Sequence, residues 1–146
     1  MKVTRIATAL IVSMLMGVTA LASDGWEKDS RYNQLFNPAT VKTLTGRILS
    51  VDRQAHLQAG MAPAVVAVLE TEQGPVTVHV APSWFAKYYR PQWNLQPGDE
   101  VEVTGSLVEF EGQPVLMASR GRKGDLSMVI RDQAGTPVWD IEATGF

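Results

Sequence analysis

Alternating apolar and polar positions run through the middle of this chain and predict β-strands. The alternation is clearest from Pro75 to Ala81, where three valines face one side and Thr77 and His79 face the other. On this pattern the valines point into a core and His79 lies on the polar side of the strand. The pattern therefore predicts a sheet with one buried face.

A second alternating segment begins at a proline-glycine turn. Pro97-Gly98 precedes a strand from Val101 to Phe110, in which valines alternate with Glu100 and Glu102. The alternation slips after Leu107, as a β-bulge near Gly105 would cause. The two glutamates share one strand face and read as a solvated edge.

The remaining elements are short. A helix is predicted from Pro82 to Tyr89, with Ser83 as its cap and Pro91 as its stop. Further strands are predicted over Thr40 to Gln54, Ala64 to Thr71, Pro114 to Ser119, Leu126 to Arg131, and near Pro137 to Trp139. The first of these is expected to bend at Gly46, where no side chain is present.

Three strands, a short helix and two strands follow one another in this order, and the sequence resembles the exported bacterial OB-fold domains. The resemblance rests on Leu44-Thr45-Gly46-Arg47-Ile48, on Gly74 to Val80 and on Pro97 to Ser106, and it covers roughly residues 41–119. It implies an all-β fold with one short helix, a small antiparallel OB-fold-like barrel, here with an extra C-terminal hairpin after Gly121. It also implies a non-enzymatic binding module of the cell envelope.

The first residues have the pattern of a secretory signal. Lys2 and Arg5 precede an apolar run from Ile6 to Val18, and Ala20-Leu21-Ala22 is a small-x-small cleavage pattern. We therefore predict a signal peptide over residues 1–22, an irregular arm over 23–40 and a barrel over 41–146. The apolar run is short for a membrane span, so no stable span is expected after cleavage, and the predicted location is the periplasm. An uncleaved N-terminal anchor is the alternative.

Charge and cysteine content narrow the function classes. The chain has 13 basic and 15 acidic residues, and loss of Lys2 and Arg5 with the signal makes the balance more acidic. This argues against general nucleic-acid binding, which needs a dense positive field. The chain has no cysteine, which excludes disulfides, thiolate metal sites and thioether-attached haem.

Two histidines are the candidate metal ligands. His79 lies on the polar side of its strand, and His56 lies in the loop after the first strand, close to Met61. Together they indicate a transition-metal site if the loop folds back onto the strand. The alternative is that both are ordinary solvent-exposed histidines, since nothing in their spacing brings them together.

Two further groups are candidate contacts for a ligand or partner. The helix carries Trp84, Tyr88 and Tyr89, of which Trp84 and Tyr88 are expected to pair and Tyr89 to be the most exposed. The glycine-flanked Arg120 and Arg122 can bind a phosphate or carboxylate, with Arg131 on the next predicted strand. The alternatives are core packing for the aromatic residues and simple solvation for the arginines.

No catalytic motif is found. Ser83 and Ser106 have no histidine at a diagnostic spacing, and no metalloprotease, phosphate-loop or dinucleotide motif occurs. We therefore expect no enzyme and no required cofactor. The predicted function is a periplasmic binding or accessory module that contacts an envelope protein or a small ligand near His79 and the aromatic helix. The alternatives are a metal-handling or redox-accessory protein and an envelope structural or stress-response protein.

Overall fold

The computed structural model describes residues 24–143, and its longest strand organises the sheet. The elements are β1 (Val41–Ala55), β2 (Ala64–Thr71), β3 (Gly74–Pro82), α1 (Ser83–Tyr89), β4 (Glu100–Phe110), β5 (Gln113–Lys123), β6 (Leu126–Val129) and α2 (Val138–Ala143). The predicted order of three strands, a helix and two strands is confirmed.

The strands close into an OB-fold-like barrel. The sheet order is β3-β2-β1-β4-β5-β6, with all of these neighbours antiparallel. A parallel pairing of β3 with β5, through Val78 with Leu116 and His79 with Met117, joins the two sides and closes the barrel. The fold is therefore all-β with short helices, as predicted, and β6 extends the sheet beyond the barrel.

Two glycines allow the strands to change partners and bend. β1 pairs with β4 up to Arg47 and with β2 from Arg47 onward, so it changes partners next to Gly46. A Cβ atom at Gly46 would overlap the carbonyl oxygen of Glu70. The register of β4 on β5 shifts between Thr104 and Gly105, which confirms the predicted bulge.

The barrel interior is filled by apolar side chains and leaves no room for a ligand. Ile48, Leu69, Val78 and Val101 are among its buried residues, and Phe85 of α1 is fully buried. A void of about 30 Å³ remains in the core. Ligand sites are typically several hundred Å³, so any binding site of this size lies outside the barrel.

An N-terminal arm of residues 24–40 covers one side of the barrel. It consists of turns and two short 3-10 helices, Asn33–Leu35 and Pro38–Thr40. Trp26 and Tyr32 of the arm are buried, and the Trp26 indole N–H donates to the Ala62 carbonyl at 2.9 Å. The arm therefore adds a second aromatic layer to the core.

Two local predictions were wrong. The strand predicted near Pro137 to Trp139 is instead α2, which begins at Val138. The other predicted strand of the extra hairpin is present as β6, and a single bridge joins Arg131 to Pro137. Trp139 anchors this segment by donating its indole N–H to the Trp26 carbonyl at 2.8 Å. Ser83 does not cap α1, because its hydroxyl donates to the Arg53 carbonyl.

The predicted signal peptide, residues 1–22, lies outside the described residues. Within residues 24–143, no helix has the length and apolar character needed to cross a bilayer.

We expect Gly46→Ala to destabilise the barrel by about 1–3 kcal/mol or more, because the new methyl group meets backbone rather than a movable side chain. Urea unfolding measures the change. Gly121→Ala is the matched control, since a Cβ there first meets the flexible end of Met128 and is expected to cost less. Equal losses in the two variants would contradict this account of the bend.

Candidate functional site: an arginine and hydroxyl face

His79 is enclosed rather than exposed, which corrects its predicted place on a polar strand face. It lies in β3 with 5% of its surface accessible, and its Nδ1 is hydrogen-bonded to the Tyr32 hydroxyl at 2.9 Å. The Phe110 ring meets the imidazole edge-on at 5.3 Å between centroids. The alternation predicted the two strand faces correctly, but the arm covers the face that was expected to meet solvent.

Burial keeps this pair of groups neutral. Burial first, and then the nearby positive charge of Arg131, lower the pKa of His79 to about 4. Burial also raises the pKa of the Tyr32 phenol well above its usual value. At neutral pH the imidazole is therefore uncharged and hydrogen-bonded to a protonated phenol.

The structure gives no common environment to the two predicted metal ligands. His56 is exposed in the loop that follows β1, whereas His79 is enclosed by the arm. No group of three or more metal-binding side chains is found among the described residues. Metal binding by His56 and His79 stays a prediction.

The aromatic residues of α1 divide between the core and the surface. Phe85 is buried and stacks on Tyr89, with 5.7 Å between ring centroids. Trp84 also meets Tyr89, at 6.0 Å, and donates its indole N–H to Asp24. Tyr88, rather than Tyr89, is the most exposed, with 70% of its surface accessible against 44%. Contact of Trp84, Tyr88 and Tyr89 with a partner stays a prediction.

Arg120 and Arg122 lie on the outer face of the sheet, where pairing aligns them with hydroxyl groups. In one cross-strand row Thr43, Thr104 and Arg120 are direct neighbours on β1, β4 and β5. The hydroxyls of Thr43 and Thr104 are hydrogen-bonded at 2.8 Å. Direct cross-strand partners point to the same side of a sheet. The two threonine hydroxyls therefore lie on the same face of the sheet as the Arg120 side chain.

A second row, two residues along, repeats the arrangement. Glu102 on β4 pairs with Arg122 on β5, and Arg122 pairs with Ser127 on β6. Arg120 and Arg122 are both exposed, and Glu102 is the acidic neighbour of Arg122 within the second row. These two rows form what we call the arginine and hydroxyl face: Thr43, Glu102, Thr104, Arg120, Arg122 and Ser127. A surface cavity of about 270 Å³ lies over it.

Arg131 lies next to this face but is buried. It follows β6, has 5% of its surface accessible, and places its guanidinium 5.1 Å from the Trp139 ring and 5.7 Å from the Phe36 ring. It lines a second surface cavity of about 300 Å³, together with Thr104, Ser119 and Arg120. Arg120 and Thr104 border both cavities, so the two cavities are neighbours on the sheet.

A family model matches residues 40–128, more than half of the 146 residues, and describes the MamS/MamX magnetosome protein family. The chain belongs to the MamS/MamX magnetosome protein family. In this family member the matched segment includes the barrel, His79 and the arginine and hydroxyl face. Tyr32, Arg131 and Trp139 lie outside it. No curated protein matches the chain.

Solved structures with similarity to this MamS/MamX family member have low identity. The Stn1–Ten1 complex of S. pombe is 14% identical and has a TM-score of 0.44, with 69% of this chain and 79% of that one covered. The N-terminal domain of PriB from Thermoanaerobacter tencongensis is 16% identical and has a TM-score of 0.42, with 60% and 99% covered. The agmatidine synthetase TiaS, in its apo form, is 20% identical and has a TM-score of 0.42, with 66% and 22% covered.

The chain thus spans about a fifth of the length of TiaS. These similarities are too low to transfer any function to the MamS/MamX family member.

Sequence reasoning missed the partners of the candidate residues. Thr43 and Thr104 join Arg120 only through the register of β1 on β4 and of β4 on β5, which alternation along a single strand does not reveal. Tyr32 and Arg131 have no signal in the sequence. A lone tyrosine in an irregular arm and a lone arginine at a strand end are both ordinary surface patterns.

We expect this MamS/MamX family member to lose stability as the pH falls from about 6.5 to about 4. In this window the unfolded chain protonates His79 while the folded chain keeps it neutral, so protons favour unfolding. The pKa difference corresponds to about 3 kcal/mol at most. His79→Asn removes the titration but keeps a hydrogen-bonding partner for Tyr32.

Urea unfolding at pH 7, 5.5 and 4 measures the effect. The loss of stability is expected to be smaller in His79→Asn than in the parent, whereas His56→Asn, in the exposed loop, behaves as the parent does. Parallel pH profiles for the parent and His79→Asn would show that His79 is not held neutral.

Proposed function

We propose that this MamS/MamX family member is a periplasmic, non-catalytic accessory module of the magnetosome system that binds an acidic protein partner. The contact surface is the arginine and hydroxyl face. The observation that carries the proposal is the exposed pair Arg120 and Arg122, held by sheet register beside hydroxyl groups. Guanidinium groups bind carboxylates through paired, charge-assisted hydrogen bonds.

A protein partner suits this face better than an anionic membrane or a nucleic acid. The chain as a whole carries a net charge of −2, so no long-range positive field draws a polyanion to it and any contact with an acidic group is local. Lipid surfaces are bound by clusters of about four to eight basic residues. A face with two exposed arginines and the acidic Glu102 is suited to a local and specific contact instead.

Export and magnetosome association have separate support. The positively charged start, apolar run and Ala20-Leu21-Ala22 pattern favour a signal peptide and hence a periplasmic location. The family match supports a role connected with the magnetosome. Both are parts of the proposal.

Several observations favour a non-catalytic role. His79 is enclosed, neutral and hydrogen-bonded to Tyr32, so it is not offered to a substrate as a base. The serine hydroxyls donate to backbone carbonyls, Ser83 to Arg53 and Ser106 to Asn37. A metal-handling role through His56 and His79 lacks a comparable supporting contact among the described residues.

Retention on isolated magnetosomes tests the proposal. The Arg120→Gln/Arg122→Gln double variant is expected to bind magnetosomes about tenfold more weakly than the parent, because charge-assisted contacts are lost. Lys28→Gln/Arg31→Gln is the matched control, since it removes the same charge from two exposed basic residues of the N-terminal arm. The measurement is the fraction of protein that co-sediments with magnetosomes as the salt concentration is raised.

Two further outcomes are decisive. Protease treatment of the magnetosome surface is expected to abolish retention of the parent, since the proposed partner is a protein. Equal retention of the double variant and the parent would contradict the arginine and hydroxyl face as the contact surface. Retention that survives protease would contradict the protein partner.

A further inference from the structure

Beside the arginine and hydroxyl face lies the cavity of about 300 Å³ that Arg131 lines, which we call the Arg131 pocket. Its polar wall is formed by Thr104, Ser119, Arg120 and Arg131, and Phe36 forms part of its apolar wall. This volume exceeds that of a small anion and falls at the lower end of ligand pockets. The pocket thus combines one buried and one exposed arginine.

The buried guanidinium of Arg131 has fewer polar partners than it can use. Its Nη1 donates to the Gly135 carbonyl at 3.2 Å, and its Nε has no hydrogen-bond partner. A guanidinium offers five N–H donors, and within residues 24–143 no carboxylate forms an ion pair with this one. The Trp139 and Phe36 rings offset part of the cost of burying the charge.

The acidic residue at the pocket, Asp132, accepts hydrogen bonds from its own turn. Asp132 lines the pocket, but its Oδ1 accepts from the backbone N–H groups of Ala134 and Thr136. The carboxylate therefore stabilises the turn between Arg131 and Pro137. Ser119 donates its hydroxyl to the Thr104 carbonyl, so the hydroxyl fixes β5 against β4.

Arg120 and Arg131 bring two positive groups to one cavity against the single carboxylate of Asp132, so the lining of the cavity has a net positive charge. Arg120 is exposed and can turn into the pocket, whereas Arg131 is held by Gly135 and by the aromatic rings. This pairing of a buried and an exposed guanidinium is suited to an oxyanion, which accepts several hydrogen bonds at once. A neutral ligand would leave the buried charge uncompensated.

We propose that the Arg131 pocket binds an oxyanion, a phosphate or carboxylate group, between the Arg131 and Arg120 guanidiniums. The pocket shares Arg120 and Thr104 with the arginine and hydroxyl face, but a small anion can occupy it without an acidic protein on the outer face. The competing explanation is that Arg131 only fixes the turn at Gly135 and the rings of Phe36 and Trp139. That explanation predicts a stable fold and no anion binding.

Titration of the purified protein with inorganic phosphate, and separately with succinate, tests the proposal at constant ionic strength set by chloride. Trp139 contacts the Arg131 guanidinium, so tryptophan fluorescence reports on the pocket, and calorimetry measures affinity independently. Saturable binding of either probe is expected, with a dissociation constant below about 10 mM. If only phosphate binds, the ligand carries a phosphoryl group, and if only succinate binds, it carries a carboxylate. If both bind, the pocket is a general oxyanion site.

Two variants locate the binding. Arg120→Gln, on the surface, is expected to keep the fold and weaken binding about tenfold, and Arg131→Lys is expected to weaken it at least as much. Arg31→Gln, which changes an exposed arginine of the N-terminal arm, should bind as the parent does. If Arg131→Lys fails to fold, the affinity of Arg120→Gln for the probes alone tests whether binding occurs at the pocket.

The proposal is overturned if neither probe gives saturable binding, or if Arg120→Gln binds as tightly as the parent. Retention on magnetosomes measures a different event. It is unaffected by a failure of the small anions to bind, so the two proposals fail separately.

Discussion

The packing of the N-terminal arm against the barrel is the constraint on which the rest of the structure depends. Tyr32 of the arm is hydrogen-bonded to His79 of the barrel. Trp26 of the arm donates its indole N–H to the Ala62 carbonyl in the loop before β2. Trp139 then donates to the Trp26 carbonyl and meets its ring edge-on at 5.5 Å. The two ends of the described chain are thus joined through one aromatic layer outside the barrel.

This layer decides which polar groups are available for function. It encloses His79, the side chain with the most obvious chemistry, and makes it a neutral part of the core. It also draws Arg131 beneath Phe36 and Trp139, where the charge lacks a carboxylate partner among the described residues. For this reason the proposed contacts lie with the exposed arginines and the hydroxyls of β1, β4 and β5 rather than with His79.

The barrel was predictable because its signals are local. Alternation predicted the strands, the missing side chain of Gly46 predicted the bend, and the slip after Leu107 predicted the bulge at Gly105. These signals depend only on neighbouring residues. They carry no information on what a distant segment covers, and for this reason His79 was expected on an exposed face.

The candidate site was only partly predictable. Arg120 and Arg122 stood out because glycines flank them, and the structure places both on the outer face of β5. The burial of Arg131 depends on Phe36, about a hundred residues earlier in the chain, and on a C-terminal helix that the sequence read as a strand. Six residues with β-branched and aromatic content give little helical periodicity, so tertiary contact with Trp26 decides their structure.

The central claim is that the chemistry of this MamS/MamX family member lies at the arginines rather than at the histidines. Chemical-shift mapping of the ¹⁵N-labelled protein during a phosphate titration tests it most directly, because every backbone amide and indole N–H reports at once. The largest shifts are expected at Ser119, Arg120, Arg131 and the Trp139 indole, with His79 unchanged. Largest shifts at His79 or along α1, or no shifts at any position, would contradict it.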